Sequence, residues 1–227
     1  MTLGVNPQLP RRRLLGGAAA LAGGVVLGAG TDLARPTAAR AAVPVPYCYT
    51  RYEWGARMAT GTIRYLDRMP DHIIVHHTAS ANTTDFSLAA AFRVSRWIQD
   101  LHMDTNGWID SGQQLTISRG GYLMEGRQLS FRAIWERQHV SGAQCANHND
   151  HTIGIENEGH YVSNSVPSTL FESLVSTCAW LCDFYNLNPY VAIVGHRDFV
   201  ATLCPGDVLY ARLPELRNRV AAVLSAG

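Results

Sequence analysis

The sequence predicts a single α/β domain, a sheet covered by helices, on three observations. Short runs dense in Ile and Val alternate along the chain with longer segments of helical apolar spacing, an order that places helices over a sheet. The chain has 227 residues, 47% hydrophobic and 16% charged, enough for one full hydrophobic core. No internal repeat or interdomain linker divides residues 51–227.

The elements follow in order. Residues 1–41 are set apart: Arg11-Arg12-Arg13 leads into a Gly/Ala-rich apolar run from Leu14 to Gly30, then small residues at Ala39-Arg40-Ala41. This predicts a removable export signal and a secreted or wall-associated protein; the paired arginines resemble the twin-arginine type, although general secretory signals are also arginine-led. A lasting membrane anchor is disfavoured, because a run interrupted by six glycines falls short of the ~20 apolar residues a span requires. Residues 42–50 (AVPVPYCYT) form a short Pro-containing lead-in.

Asp71 to His77 (DHIIVHH) is too short for a stable helix and too apolar for a loop, so a buried strand is expected. Leu88, Phe92, Trp97, Ile98 and Leu101 recur near helical spacing, which predicts an amphipathic helix over 87–103. Residues 113–117 and 121–125 read as a hairpin about Arg119-Gly120, and Thr152 to Glu158 (TIGIENE) as another strand. Thr169 and Glu172 have capping-box spacing ahead of Leu170, Phe171, Leu174, Val175, Cys178, Leu181 and Cys182, a helical series. A strand is expected over 190–194, ending at Gly195-His196, and a last helix from Pro214 to Leu224.

All 19 basic residues are arginines and the net charge is +1, too weak a field to suggest a nucleic-acid partner. Without residues 1–41, 14 arginines face 17 carboxylates, a formal charge of −3. Five cysteines remain: Cys48, Cys145, Cys178, Cys182 and Cys204. In an exported chain an even set suggests disulfides, so one thiol is set aside for another task. The other four allow three pairings. Cys178 and Cys182, one helical turn apart, are expected to reach different partners, Cys48 and Cys145.

A zinc hydrolase needs about three protein ligands and an open position, and ligands at strand ends hold the metal where substrate reaches it. His76 and His196 end two expected strands, and Cys204 follows His196 by eight residues in a loop braked by Pro205-Gly206. Any one such histidine alone reads more simply as a hydrogen-bonded core residue; the combination shifts the reading.

Four motifs then stand in order: Arg51-x-x-Trp54-Gly55-Ala56, IIVHHTA at 73–79, IGIE at 153–156, and GHRDxxxTxCPG from Gly195 to Gly206. Together, over roughly residues 50–225, they resemble the family of peptidoglycan recognition proteins and type 2 N-acetylmuramoyl-L-alanine amidases. The resemblance implies a central mixed sheet flanked by helices, with a zinc site (Zn2+) in a surface groove that takes bacterial peptidoglycan. It implies His76, His196 and Cys204 as ligands, with Cys204 kept out of any disulfide and His77 on the opposite strand face in a structural role. The reaction it implies is hydrolysis of the amide between N-acetylmuramic acid and L-alanine.

The chain departs from the pattern at two places. Trp108-Ile109-Asp110-Ser111-Gly112-Gln113 carries Gln113 where many relatives have a catalytic tyrosine, and Gly142-Ala143-Gln144 carries Gln144 where relatives have a histidine. Glu156 is the expected replacement base, by similarity to the IGIE branch of the family. Strand alternation sets Gly154, Glu156 and Glu158 on one face, with Glu158 as runner-up. Thr202 is expected to bring a hydroxyl to the scissile carbonyl, a loop-capping role being equally ordinary. Gln113 and Asn149 are candidate substrate contacts. His148, His151 and His160 are read as a polar loop at the groove rather than a second metal site, and Arg197-Asp198 as support beside a ligand. Two other functions compete: a non-catalytic peptidoglycan receptor, whose usual mark is loss of the zinc cysteine, and a cysteine hydrolase with Cys204 as nucleophile and His196 as base, which leaves His76 without a task.

Overall fold

A computed structural model describes residues 42–226, so the expected export signal at 1–41 lies outside the described residues. In chain order the strands are β1 (Cys48–Tyr49), β2 (Tyr65–Leu66), β3 (His72–His77), β4 (Leu115–Ile117), β5 (Leu123–Glu125), β6 (His139–Val140), β7 (Thr152–Asn157) and β8 (Ile193–Gly195). The helices are α1 (Arg51–Trp54), α2 (Leu88–Asp100), α3 (Ser130–Trp135), α4 (Ser168–Tyr185), α5 (Pro189–Ala192), α6 (Asp207–Ala211) and α7 (Leu213–Ala226). Six strands form one mixed sheet in the order β1-β5-β4-β7-β3-β8, with only β4–β5 antiparallel, and β2 pairs with β6 in a separate ribbon.

Strands β3 and β7 sit centrally, and every residue of them but His72 and Glu156 is buried. Ile73 and Val75 of β3, Ile153 and Ile155 of β7, and Leu115 and Ile117 of β4 face the main core. There they meet Leu170, Phe171, Leu174, Cys178, Trp180 and Leu181 of α4 and Leu213, Leu216 and Val220 of α7. Each fully buried Leu, Ile or Phe contributes on the order of 1.5–3 kcal/mol. The other face carries Thr116, Glu156 and His76 side by side, since Thr116 is in register with Glu156 and Glu156 with His76.

The Arg51-x-x-Trp54 motif staples α1 to the β4–β5 hairpin and to the loop before it. Arg51 pairs at 3.1 Å with Asp110, whose side chain is fully buried, and also donates to the carbonyl of Gly126. The Trp54 indole N–H donates to the carbonyl of Glu125 at 2.8 Å. Asp110 also accepts from Gln99 Nε2 and the Gln128 N–H, each at 2.7 Å, so the buried charge is fully engaged.

Several expectations need correction. The helix expected over 87–103 is α-helical only to Asp100 and continues as a π-helical turn, Leu101–Thr105. The capping box does not form: α4 starts at Ser168, the Thr169 hydroxyl donates to the Arg119 carbonyl at 2.6 Å, and Glu172 pairs with Arg219. The strand expected over 190–194 is shortened to Ile193–Gly195, because Asn188 accepts from the Tyr190 N–H and Pro189 occupies the first helical position, which starts the turn α5. The disulfides are also absent: all five cysteines are free thiols. Cys48, Cys178 and Cys182 share the main core, whereas Cys145 lies beside Gln144 on the His76 side of the sheet, so the sheet separates it from the α4 thiols. Burial pushes the Cys48 and Cys178 thiols up, as expected for inert core thiols. No helix among the described residues is long and apolar enough to cross a membrane.

Candidate functional site

The site forms where β3, β7 and β8 end together. His76 is the fifth residue of β3, and its Nδ1 lies 3.6 Å from Cys204 Sγ. His196 follows β8 directly, and its ring centroid is 4.4 Å from that of His76. One ligand atom from each of His76, His196 and Cys204 lies within 4.8 Å of the others.

The loop from His196 to Cys204 is held from both ends. The Arg197 N–H donates to the Cys204 carbonyl at 3.1 Å, and its guanidinium reaches Asp207 at 2.7 Å and the Leu203 carbonyl. Asp198 accepts from the Gly195 N–H and the Tyr210 hydroxyl. The Cys204 N–H donates to Thr202 Oγ1 at 3.2 Å, so Thr202 closes the turn into the cysteine. His77 faces away: its Nδ1 accepts from the Tyr161 N–H, its ring stacks on His160, and its backbone alone meets Cys204, the N–H donating to Sγ at 3.4 Å and the carbonyl accepting from Sγ at 3.9 Å.

The charge states suit a metal. Burial, reinforced by neighbouring His196, lowers His76 to about 3, and burial lowers His196 as well, so both imidazoles are neutral donors at neutral pH. Burial and the Glu156 carboxyl push the Cys204 thiol up, against the opposing His77 N–H, so that without a cation the sulfur keeps its proton. Two neutral imidazoles and one thiol converging within reach of one ion are the donor set of a borderline-soft divalent metal such as zinc, which would displace the thiol proton. The residues therefore fit zinc.

Glu156 keeps partial solvent contact, but its Oε2 is sealed and has no hydrogen-bond partner. Burial raises its carboxyl to about 8. A buried carboxyl lacking a partner beside two imidazoles and a thiol is the arrangement that proton-transfer sites use. Glu158, the runner-up, is engaged elsewhere: its carboxylate accepts from the Arg119 N–H at 2.8 Å.

Of the two candidate substrate contacts, Gln113 is buried, whereas Asn149 is half-buried and lines a surface pocket with Arg64, Ser141, Gly142, Asn147 and Asp150. Gln113 is 1% exposed and donates to Thr116 Oγ1 at 2.9 Å. Asn149 Oδ1 accepts from the N–H groups of Gln144 and Cys145, holding the loop that carries Gln144. Gln144 itself reaches the centre, with Oε1 2.6 Å from His76 Nε2.

The histidines expected to cluster divide. His148 and His151 touch at 3.1 Å, and His160 joins His77 on the other side. His151 and His72 both contact Asp71 Oδ1, at 2.7 and 2.6 Å. Phe199 stacks on His148 and meets His72 edge-on. Sequence reading missed Asp71 and His72 because no local motif joins positions 80 residues apart. A wide cleft lined by Tyr47, Tyr49, Tyr122 and Glu172 shares no residue with the site.

Comparisons with known proteins agree with this arrangement. Residues 66–207 match the Amidase_2 family, described as N-acetylmuramoyl-L-alanine amidase. The chain is 32% identical over 173 residues to an N-acetylmuramoyl-L-alanine amidase of Sus scrofa, covering 74% of this chain but 27% of the pig protein. It is 31% identical over 172 residues to peptidoglycan-recognition protein SC2 of Drosophila melanogaster, covering 74% of this chain and 85% of that one. Wild-type Drosophila PGRP-LB superposes with a TM-score of 0.64 at 25% identity, covering 74% of this chain and 92% of that one. A point mutant of the same Drosophila protein is known in complex with tracheal cytotoxin. With its mixed sheet, its motifs in order and a match over residues 66–207, the chain belongs to the N-acetylmuramoyl-L-alanine amidase family.

Proposed function

We propose that this protein is an exported zinc amidase that hydrolyses the bond between N-acetylmuramic acid and the L-alanine of the peptidoglycan stem. The observation that carries the reading is the convergence of His76, His196 and Cys204 within 4.8 Å, next to the buried, unpartnered Oε2 of Glu156. Zinc, when bound by those three residues, supplies Lewis-acid polarisation of an amide carbonyl and acidifies water. Glu156 supplies the proton chemistry: its carboxylate, which keeps partial solvent contact, accepts a proton from the attacking water and returns it to the alanine nitrogen as the amide breaks. Its buried Oε2 has no competing donor. Thr202 stands two residues before Cys204, its hydroxyl oxygen accepting from the Cys204 N–H, and in this reading it also contacts the scissile carbonyl.

A second reading, a peptidoglycan receptor without activity, draws on Gln113, which is packed against Thr116 and cannot take up the role of a tyrosine at a groove. The presence of Cys204 favours the amidase.

Three substitutions test the assignment together. His76→Ala and Cys204→Ala should abolish both zinc content and turnover, whereas Glu156→Gln should keep one zinc per chain and lower turnover by roughly 10²–10⁴-fold. Wild-type turnover in Glu156→Gln would remove the base assignment, and zinc-loaded wild type without turnover would favour the receptor.

A further inference from the structure

The side chain of Gln144 makes two hydrogen bonds, and a third, made by its partner Thr152, fixes its direction. Its Nε2 lies 2.8 Å from Thr152 Oγ1, and Thr152 Oγ1 lies 2.7 Å from the carbonyl of His148. A carbonyl only accepts, so the Thr152 hydroxyl proton points at His148, and Thr152 can offer Gln144 only a lone pair. The amide N–H of Gln144 therefore faces Thr152, and its Oε1 faces His76 Nε2 at 2.6 Å. An amide oxygen only accepts as well. Turning the amide over would forfeit the bond from Thr152 to the His148 carbonyl.

We propose that Gln144 is a positioning residue for the metal centre: a relay from the His148 carbonyl through Thr152 and Gln144 holds the His76 proton on Nε2 and leaves Nδ1 bare. Nδ1 is the nitrogen that lies 3.6 Å from Cys204 Sγ, so the relay selects the tautomer able to act as a ligand on the side where His196 and Cys204 converge. Gly154 belongs to the same device. A Cβ at that position would come within 2.7 Å of Gln144 Cγ and 2.8 Å of Cδ, so glycine in the IGIE motif admits the glutamine. Asn149 completes it by accepting from the Gln144 backbone N–H at 2.8 Å. The metal part of this inference rests on the amidase reading; the tautomer part does not.

The experiment measures both on the full chain. Long-range ¹⁵N–¹H spectra of the chelator-treated protein, with His76 assigned by comparison with His76→Gln, should show a single protonated Nε2. Thr152→Val should release the amide and give a tautomer mixture, and Thr152→Ser should restore the wild-type pattern. Zinc affinity by competition with a chromophoric chelator should fall about 10- to 100-fold in Gln144→Leu and stay near wild type in Gln144→Glu, whose carboxylate also accepts. Pure Nε2–H tautomer in both Thr152→Val and Gln144→Leu, with unchanged zinc affinity, would overturn the proposal. If wild type bound no zinc but showed the tautomer dependence, the relay would stand and the metal reading would fail.

Discussion

Replacing Gly154 by alanine applies the smallest steric perturbation to the metal centre without touching a candidate ligand. The added methyl would lie 2.7 Å from Gln144 Cγ, 2.8 Å from Cδ and 3.1 Å from Oε1. Ordinary carbon contacts begin near ~3.5 Å, so Gln144 must retreat by about 0.8 Å. That stretches the 2.6 Å bond to His76 and the 2.8 Å bond to Thr152 to about 3.4–3.6 Å, beyond the useful range. Two neutral hydrogen bonds at about 0.5–1.5 kcal/mol each, offset by the ~0.5–1 kcal/mol that alanine gains over glycine in a strand, predict a net loss centred near about 1 kcal/mol. For a domain of this size that is a fall in Tm of roughly 2–4 °C. Zinc affinity should fall by about tenfold or more, because His76 loses its orienting partner. Thermal unfolding with and without chelator, together with a zinc competition titration, reads both quantities. An alanine variant with wild-type Tm and wild-type zinc affinity would refute the reasoning from Gly154 to Gln144 to His76.

Removing Arg51 leaves the buried Asp110 carboxylate without its ion pair, so Arg51→Ala should cost about 3–5 kcal/mol in urea unfolding while leaving the zinc affinity of the folded fraction unchanged. Asp71 carries a pH dependence of known sign: burial alone would raise its carboxyl, but hydrogen bonds from His151 and then His72 outweigh it and hold the folded-state value below the ordinary one. The folded state therefore binds fewer protons than the unfolded chain, and the stabilisation is present above the ordinary carboxylate pKa near 3.8 and lost as pH falls through the lower folded value. Asp71→Asn should accordingly flatten the acid limb of the stability curve below about pH 4, and a limb as steep as wild type would contradict this. Thiol titration of unreduced, denatured protein should return all five cysteines, and a count of one would restore the two disulfides.

The strands that carry the candidate site were legible because HIIVHH and TIGIEN each hold a short run rich in Ile and Val, too short for a helix. His76, His196 and Cys204 were legible because each closes a strand or follows one within a short loop. What failed was local chemistry overruled by its neighbours. Tyr190 and Val191 read as strand residues until Asn188-Pro189 is recognised as a cap and first helical turn. Thr169 and Glu172 fit a capping box, but each found a stronger partner on another element, Arg119 and Arg219. Counting cysteines for parity could not reveal that the sheet lies between Cys145 and the α4 thiols. Gln144 was recognisable as a departure from the family pattern, but its task depends on His76, 68 residues away, and only the folded chain brings them together.

The central claim is that this chain cuts one particular amide with zinc bound, and mass spectrometry of a defined muramoyl-pentapeptide digested in H₂¹⁸O tests it most directly. The account predicts a free pentapeptide with an unblocked alanine amine and a muramic acid whose lactyl carboxylate has gained one ¹⁸O, both appearing with zinc and neither after chelation. Cleavage at a bond within the peptide, release that persists after chelation, or intact substrate in the presence of zinc-loaded protein would contradict it.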